Sequence, residues 1–235
     1  MLENLVALQQ ADSTFPSGSF AFSNGIEGLA ALGERIGGEG FGGEGLSRAI
    51  EVVLRHRWAG SDRVALILSH RAGNDIDRLA AIDAAIEAAT IAEPMRTGSR
   101  RNGAALLATH SRLGTPGAED LRQAVRDRRL LGHLPIVQGT LWRALGLGEG
   151  AVAQIAGYQA AAGCVTAAIR LGIVGAIEAQ RILTALLPIL AEVAGRPLPE
   201  SDPGEEDEIV LTAFTPLIEI AAARHARADL RLFAN

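Results

Sequence analysis

AVAQIAGYQAAAGCVTAAIRL, residues 151–171, consists almost wholly of alanine, glycine and short aliphatic side chains. Gly157, Ala160, Ala161, Gly163, Cys164, Ala167 and Ala168 leave a helix surface so shallow that a neighbouring helix can approach closely, and alanine is the strongest intrinsic helix former. This stretch is the predicted central helix. Val174 to about Val193 follows with Ile177, Leu183, Leu186, Leu187 and Leu190, and Pro188 is predicted to kink it. The two together predict a helical hairpin around which an all-α fold assembles.

Composition supports that class. Hydrophobic residues make up 48% of the 235-residue chain, enough for a sizeable core, yet only 4% of residues are aromatic. Core volume must therefore come from Leu, Ile, Val and Ala, a mixture that favours closely packed helices. Upstream, Ile50, Val53, Leu54 and Trp58 fall on one face of a helix from about Leu46, and Val64, Ile67 and Leu68 form the next stripe. Ile76, Leu79, Ile82 and Ile86 continue the pattern to about Ala92, where Pro94 predicts a break or kink. Leu106, Leu107, His110 and Leu113 mark a helix ending at Gly114, Leu121 and Val125 a shorter one, and Pro135 opens one through Leu145. A last helix is predicted from about Pro216 to Arg227. Nothing reads as an alternating strand.

The remaining segments read as connections. Gly33 to Gly45 holds seven glycines and predicts a mobile loop, with neither a preceding strand nor a Gly-Lys-Ser/Thr sequence for a phosphate cradle. Residues 196–208 hold three prolines and six acids and read as a solvated acidic linker. At the start, ADSTFPSGSFAFSNGIEGLAALG, residues 11–33, bends at Pro16-Ser17-Gly18 and again at Ser23-Asn24-Gly25, then feeds a helix through Ile26, Leu29 and Ala30. Phe15, Phe20 and Phe22 predict that this loop packs inward, with Glu27 on the opposite, exposed helix face.

Charge and cysteine content narrow the function. All 22 basic residues are arginine, which rules out lysine chemistry, and the net charge of −5 argues against nucleic acid as a partner. Cys164 is the single cysteine, excludes an internal disulfide, and reads as a buried inert thiol. Apolar runs are interrupted by Arg, Gln or Gly and no charged leader precedes them, so the chain reads as cytoplasmic with no membrane helix. The five histidines, His56, His70, His110, His133 and His225, show no ligand spacing with one another or with Cys164, so no bound cofactor or metal is predicted.

Asp12, Phe15-Pro16, Gly18, Phe20, Ser23, Gly25 and Glu27, in that order and spacing, resemble the N-terminal signature of the urease accessory protein UreF family. The resemblance continues through Arg96-Thr97-Gly98-Ser99-Arg100, His133-Leu134-Pro135-Ile136-Val137-Gln138-Gly139, Arg170-Leu171-Gly172 with Gln180, and Arg224-His225 through Arg231-Leu232-Phe233. It implies a single all-α domain over residues 1–235 with about ten helices. It further implies a non-catalytic maturation factor, a dimer that joins a UreD/UreH-type accessory protein and recruits the GTPase UreG to deliver nickel to apo-urease. Two departures from the family pattern stand out. Ala226 replaces an acid that commonly follows the His, weakening an acid–base pair there, and Phe22 replaces a frequent His.

The candidate partner-interface residues are Asp12, Ser23, Glu27, Arg96, Arg100, Arg224, His225, Arg231, Leu232 and Phe233. Asp12 also reads as a turn cap through the Ser13/Thr14 amides. Arg96 and Arg100 share one end of a helix face and read either as a solvated face or as a docking surface for acids, on a partner or in the 200–208 segment. The terminal mixture of arginine, leucine and phenylalanine suits an interface anchor, with docking onto its own domain as the competing reading. Two other functions remain open: a small helical enzyme using Asp12, Glu27 and a convergent His, and a dimer that forms part of a nickel conduit.

Overall fold

The computed structural model describes residues 1–35, 41–198, 209–228 and 232–233. Eleven α-helices follow one another: α1 (Leu2–Ala11), α2 (Ile26–Arg35), α3 (Gly43–Val53), α4 (Arg63–Ala72), α5 (Ile76–Ala89), α6 (Glu93–Leu113), α7 (Ala118–Arg126), α8 (Leu134–Ala144), α9 (Glu149–Arg170), α10 (Ala176–Ala194) and α11 (Pro216–His225). A π-helical segment, Leu54–Asp62, joins α3 to α4 without a break, so the described residues form ten continuous α-helical rods. Among the described residues there is no strand, as the composition requires. Pro94 and Pro135 both lie in the first turn of their helices, where the missing N–H costs nothing. Gly114 ends α6 in the left-handed conformation.

The glycine-rich stretch is shorter than its composition implies. Helix α2 runs through Gly33 to Arg35 and α3 begins at Gly43; the intervening 36–40 lie outside the described residues. Most of the acidic segment, 199–208, also lies outside them.

The core departs from a single hairpin-centred bundle. One apolar cluster joins Ile26, Leu46, Ile50, Trp58, Val152, Val165, Leu183 and Leu186, and a second joins Leu79, Ile82, Ile86, Leu106, Leu121 and Ile136. Helices α4 and α8 form the most extensive pair in the molecule, ahead of the predicted α9–α10 pair, and contribute to both clusters: Leu66 and Trp142 to the first, Ala65 and Leu141 to the second. Gly139 makes this approach possible, since a Cβ there would stand 2.3 Å from the Leu66 carbonyl oxygen. Against the expectation that Arg and Gln interrupt every long apolar run, α9 is long and apolar enough by composition to span a membrane, but most of that stretch is buried in the first cluster.

Buried polar groups fix the connections. The Asp83 carboxylate on α5, 1% exposed, accepts the backbone N–H groups of Leu131, Gly132 and His133 at 2.6, 2.8 and 3.1 Å and so sets the entry to α8. Glu219 on α11 accepts the N–H of Ala92 at 3.1 Å, just before α6. Gln10 accepts from Trp142 Nε1 at 3.0 Å and meets His110 Nε2 at 3.2 Å, tying α1 to α8 and α6.

Candidate functional site

The signature loop is laid on α6 and α11. Asp12 Oδ1 accepts the Thr14 N–H at 2.6 Å, and the Thr14 hydroxyl and amide together hold this exposed carboxyl below its usual range. Gly18 adopts φ +78°, and a Cβ on it would lie 2.6 Å from the Ala105 methyl. Thr109 donates to the Pro16 carbonyl at 2.7 Å from the same helix. Asn24 and Gly25 turn the chain with φ of 53° and 87°. Helix α2 then packs against α11 so closely that a Cβ on Gly28 would stand 2.6 Å from the Ala221 carbonyl oxygen. Sequence and fold agree here: glycine stands where backbone meets backbone.

The three loop phenylalanines behave differently from one another. Phe22 is buried and Phe15 half-buried beside His110, with ring centroids 5.4 Å apart. Phe20 is 67% exposed, which corrects the expectation that all three pack inward. Its ring is covered on one face by the Arg170 guanidinium at 4.0 Å, and the same guanidinium stands 4.2 Å from the Phe233 ring at the chain end. One cation thus covers an exposed ring, Phe20, and a ring buried in the first apolar cluster, Phe233.

Glu27 carries the largest correction. It was expected on an exposed face, and it is 6% exposed. Its carboxylate accepts the N–H of Leu232 at 2.6 Å and of Phe233 at 3.2 Å, and His225 Nε2 stands 3.1 Å from the same carboxylate without the alignment of a hydrogen bond. A carboxylate in the first turn of α2 gains from the helix dipole and satisfies two terminal amides, which explains why this acid is buried. Ala226, one residue beyond the histidine, therefore does not remove the acidic partner of His225, because Glu27 supplies it from 198 positions away. The chain end docks on its own domain: Phe233 is 4% exposed, whereas Leu232 is 52% exposed.

A second polar cluster lies on α5 and α6. Glu87 receives Arg96 Nε at 3.2 Å, Arg100 Nη1 at 3.0 Å and His133 Nε2 at 2.7 Å. Arg96 also donates to the Thr90 and Ile91 carbonyls at 2.7 and 2.8 Å. The acid that these arginines meet is thus Glu87 of this chain, a residue no local spacing singled out.

Of the ten interface candidates, the structure brings Glu27, His225, Leu232 and Phe233 together and Arg96 with Arg100 in the other cluster. Asp12 and Arg224 are exposed. Ser23 is wholly buried, and Arg231 lies outside the described residues. Asp12 is exposed and holds the Thr14 amide, whereas Glu27 is buried and holds the Leu232 and Phe233 amides. Cys164 is buried and its thiol is pushed up to about 12 by desolvation, as an inert thiol requires. Among the described residues, no three His, Cys, Asp or Glu side chains converge as metal ligands.

The UreF family model matches residues 42–187. The urease accessory protein UreF of Trichodesmium erythraeum is 30% identical over 99% of this chain and 97% of its own length. The chain belongs to the UreF family. A second relative, the urease accessory protein UreF of Actinobacillus pleuropneumoniae, is 30% identical over 96% of each chain, and the UreF 1 protein of Brucella melitensis is 28% identical over 97% of this one. The family match covers residues 42–187, and the similarity to the Trichodesmium protein extends over nearly the whole chain.

Proposed function

We propose that this chain is a non-catalytic urease maturation factor, a cytoplasmic dimer that bridges a UreD/UreH-type accessory protein and the GTPase UreG while nickel passes to apo-urease. Its membership of a family of urease accessory proteins over nearly its whole length carries the reading. The Glu27 latch supports it physically. The latch sets the chain end beside the signature loop, so Phe20, Leu232 and the Arg170 guanidinium form one outward face made from both ends of the sequence. Exposed aromatic, arginine and aliphatic groups on a backbone held from within are the composition of a protein interface.

Co-purification of the chain with UreD/UreH-type and UreG-type proteins, with the mass measured by light scattering, tests the proposal. The expected product is a stoichiometric assembly with two copies of this chain. A chain truncated after Arg227 is expected to lose the accessory complex at nearly unchanged helix content. A wild-type chain that stays alone with both partners present overturns the reading.

A further inference from the structure

Beneath the signature loop lies a cavity of about 160 Å³, bounded by the π-helical segment, α6, α8 and α9. Its walls are mainly apolar, with Phe22, Val53, Trp58, Leu66 and Met95 among them. π-Helices are rare, mostly single-turn, and occur frequently at functional sites. This one spans nine residues and delivers both Arg57 and Trp58 to the cavity wall.

Arg57 is 7% exposed, and its Nη1 is buried with no hydrogen-bond partner. The other edge of the guanidinium is occupied: Nε stands 3.5 Å from Asp62 and Nη2 donates to Thr90 Oγ1 at 3.3 Å. Across the same wall, Asn102, 6% exposed, has an unpartnered buried Oδ1. An orphaned cationic donor in an apolar enclosure is costly unless something answers it. The chemistry that answers a guanidinium edge best is a carboxylate, and Asp62, which also lines the cavity, is paired with Nε and leaves Nη1 unanswered. Size sets the remainder of the ligand: a dry cavity of about 150 Å³ accommodates benzene.

We propose that this cavity binds a small monocarboxylate of about benzoate size, its carboxylate meeting Arg57 and its apolar body against Trp58 and Met95. The site is separate from the Glu27 latch, and its occupancy does not depend on the urease assignment.

Sodium benzoate is the probe, titrated into the intact purified chain and followed by calorimetry and by tryptophan fluorescence, Trp58 lining the cavity. Saturable one-to-one binding within about 20 mM is expected. Arg57→Met is expected to weaken it at least about tenfold, with Arg57→Lys between the two. Benzyl alcohol, which keeps the ring and lacks the charge, is expected to bind at least about tenfold more weakly than benzoate. Ala160→Met, which fills the cavity from α9, is expected to abolish binding at unchanged helix content. The proposal is overturned by the absence of saturable binding to the wild-type chain, by equal affinity for benzyl alcohol, or by undiminished binding to folded Arg57→Met. Should Arg57→Met not fold, the alcohol comparison and Ala160→Met decide.

Discussion

Glu27 accepts the backbone N–H groups of both Leu232 and Phe233, and this makes the position of these two residues depend on one carboxylate. Glu27→Ala leaves those amides to find water, which they do by leaving the surface. The expected result is loss of hydrogen-exchange protection at Leu232 and Phe233 and a fall in stability of about 1–3 kcal/mol; protection equal to wild type would show that Phe233 alone holds the tail. His110 is a residue of a different kind. It is 1% exposed and desolvation lowers its pKa to about 4, so it is buried neutral between Gln10 and Thr115. The unfolded chain binds the proton first, at about 6.5, so the contribution is whole above that pH and is lost as the pH falls toward 4. The acidic limb should carry at most about 3 kcal/mol from this group. Carboxylates held low by arginine, such as Glu149 and Glu192, lose their contribution as the pH falls below their ordinary value of 4.5. Denaturant melts at pH 7, 6 and 5 check this: a flat stability over that interval, or one unchanged in slope by His110→Gln, contradicts it.

At the scale of elements, the α4–α8 contact depends on the absence of one methyl group. Gly139→Ala would set a Cβ 2.3 Å from the Leu66 carbonyl oxygen and 2.9 Å from the His70 nitrogen, both backbone atoms that cannot rotate away. Overpacking of this kind costs about 1–3 kcal/mol, and a Gly139→Ala chain melting at the wild-type temperature would mean that the helices separate at little cost. This pairing was only partly legible in the sequence. The helices themselves follow from apolar spacing, and Pro94, Gly114 and Pro135 mark their ends through local backbone chemistry. Which helices pair depends on a glycine's neighbour far along the chain, and HLPIVQG reads locally as an ordinary helix start. Glu87 and Asp83 were invisible for the same reason, since their partners lie 9 to 50 positions away and no periodicity encodes them. Glu27 was misread because its place opposite an apolar stripe implies exposure, whereas the chain end supplies the cover. The π-helical segment had no sequence signal: Leu54–Asp62 reads as a continuation of the helix before it.

Over the whole molecule, two apolar clusters are coupled by helices that belong to both. Leu66 and Trp142 pack in the cluster of α9 and α10, while Ala65 and Leu141, their immediate neighbours in sequence, face the cluster of α5, α6 and α7. Adjacent residues on one helix cannot lose their order separately, so damage to one cluster must reach the other, and the chain should unfold as a single cooperative unit. Its two tryptophans make the test direct, because Trp58 and Trp142 both report on the first cluster. Ile82 is fully buried in the second. Ile82→Ala removes buried methyl groups there and is expected to cost about 2–5 kcal/mol. Under coupling, the denaturant midpoint read from tryptophan fluorescence moves by that full amount and coincides with the midpoint read from helical circular dichroism. Under independence, the tryptophan transition stays at its wild-type position while part of the helical signal is lost earlier. The second pattern would divide the chain into two folding units and leave α4 and α8 as a seam between them. The first makes the signature loop, the tail and the Glu87 cluster parts of one rigid frame, on which both ends of the sequence are held in fixed relation.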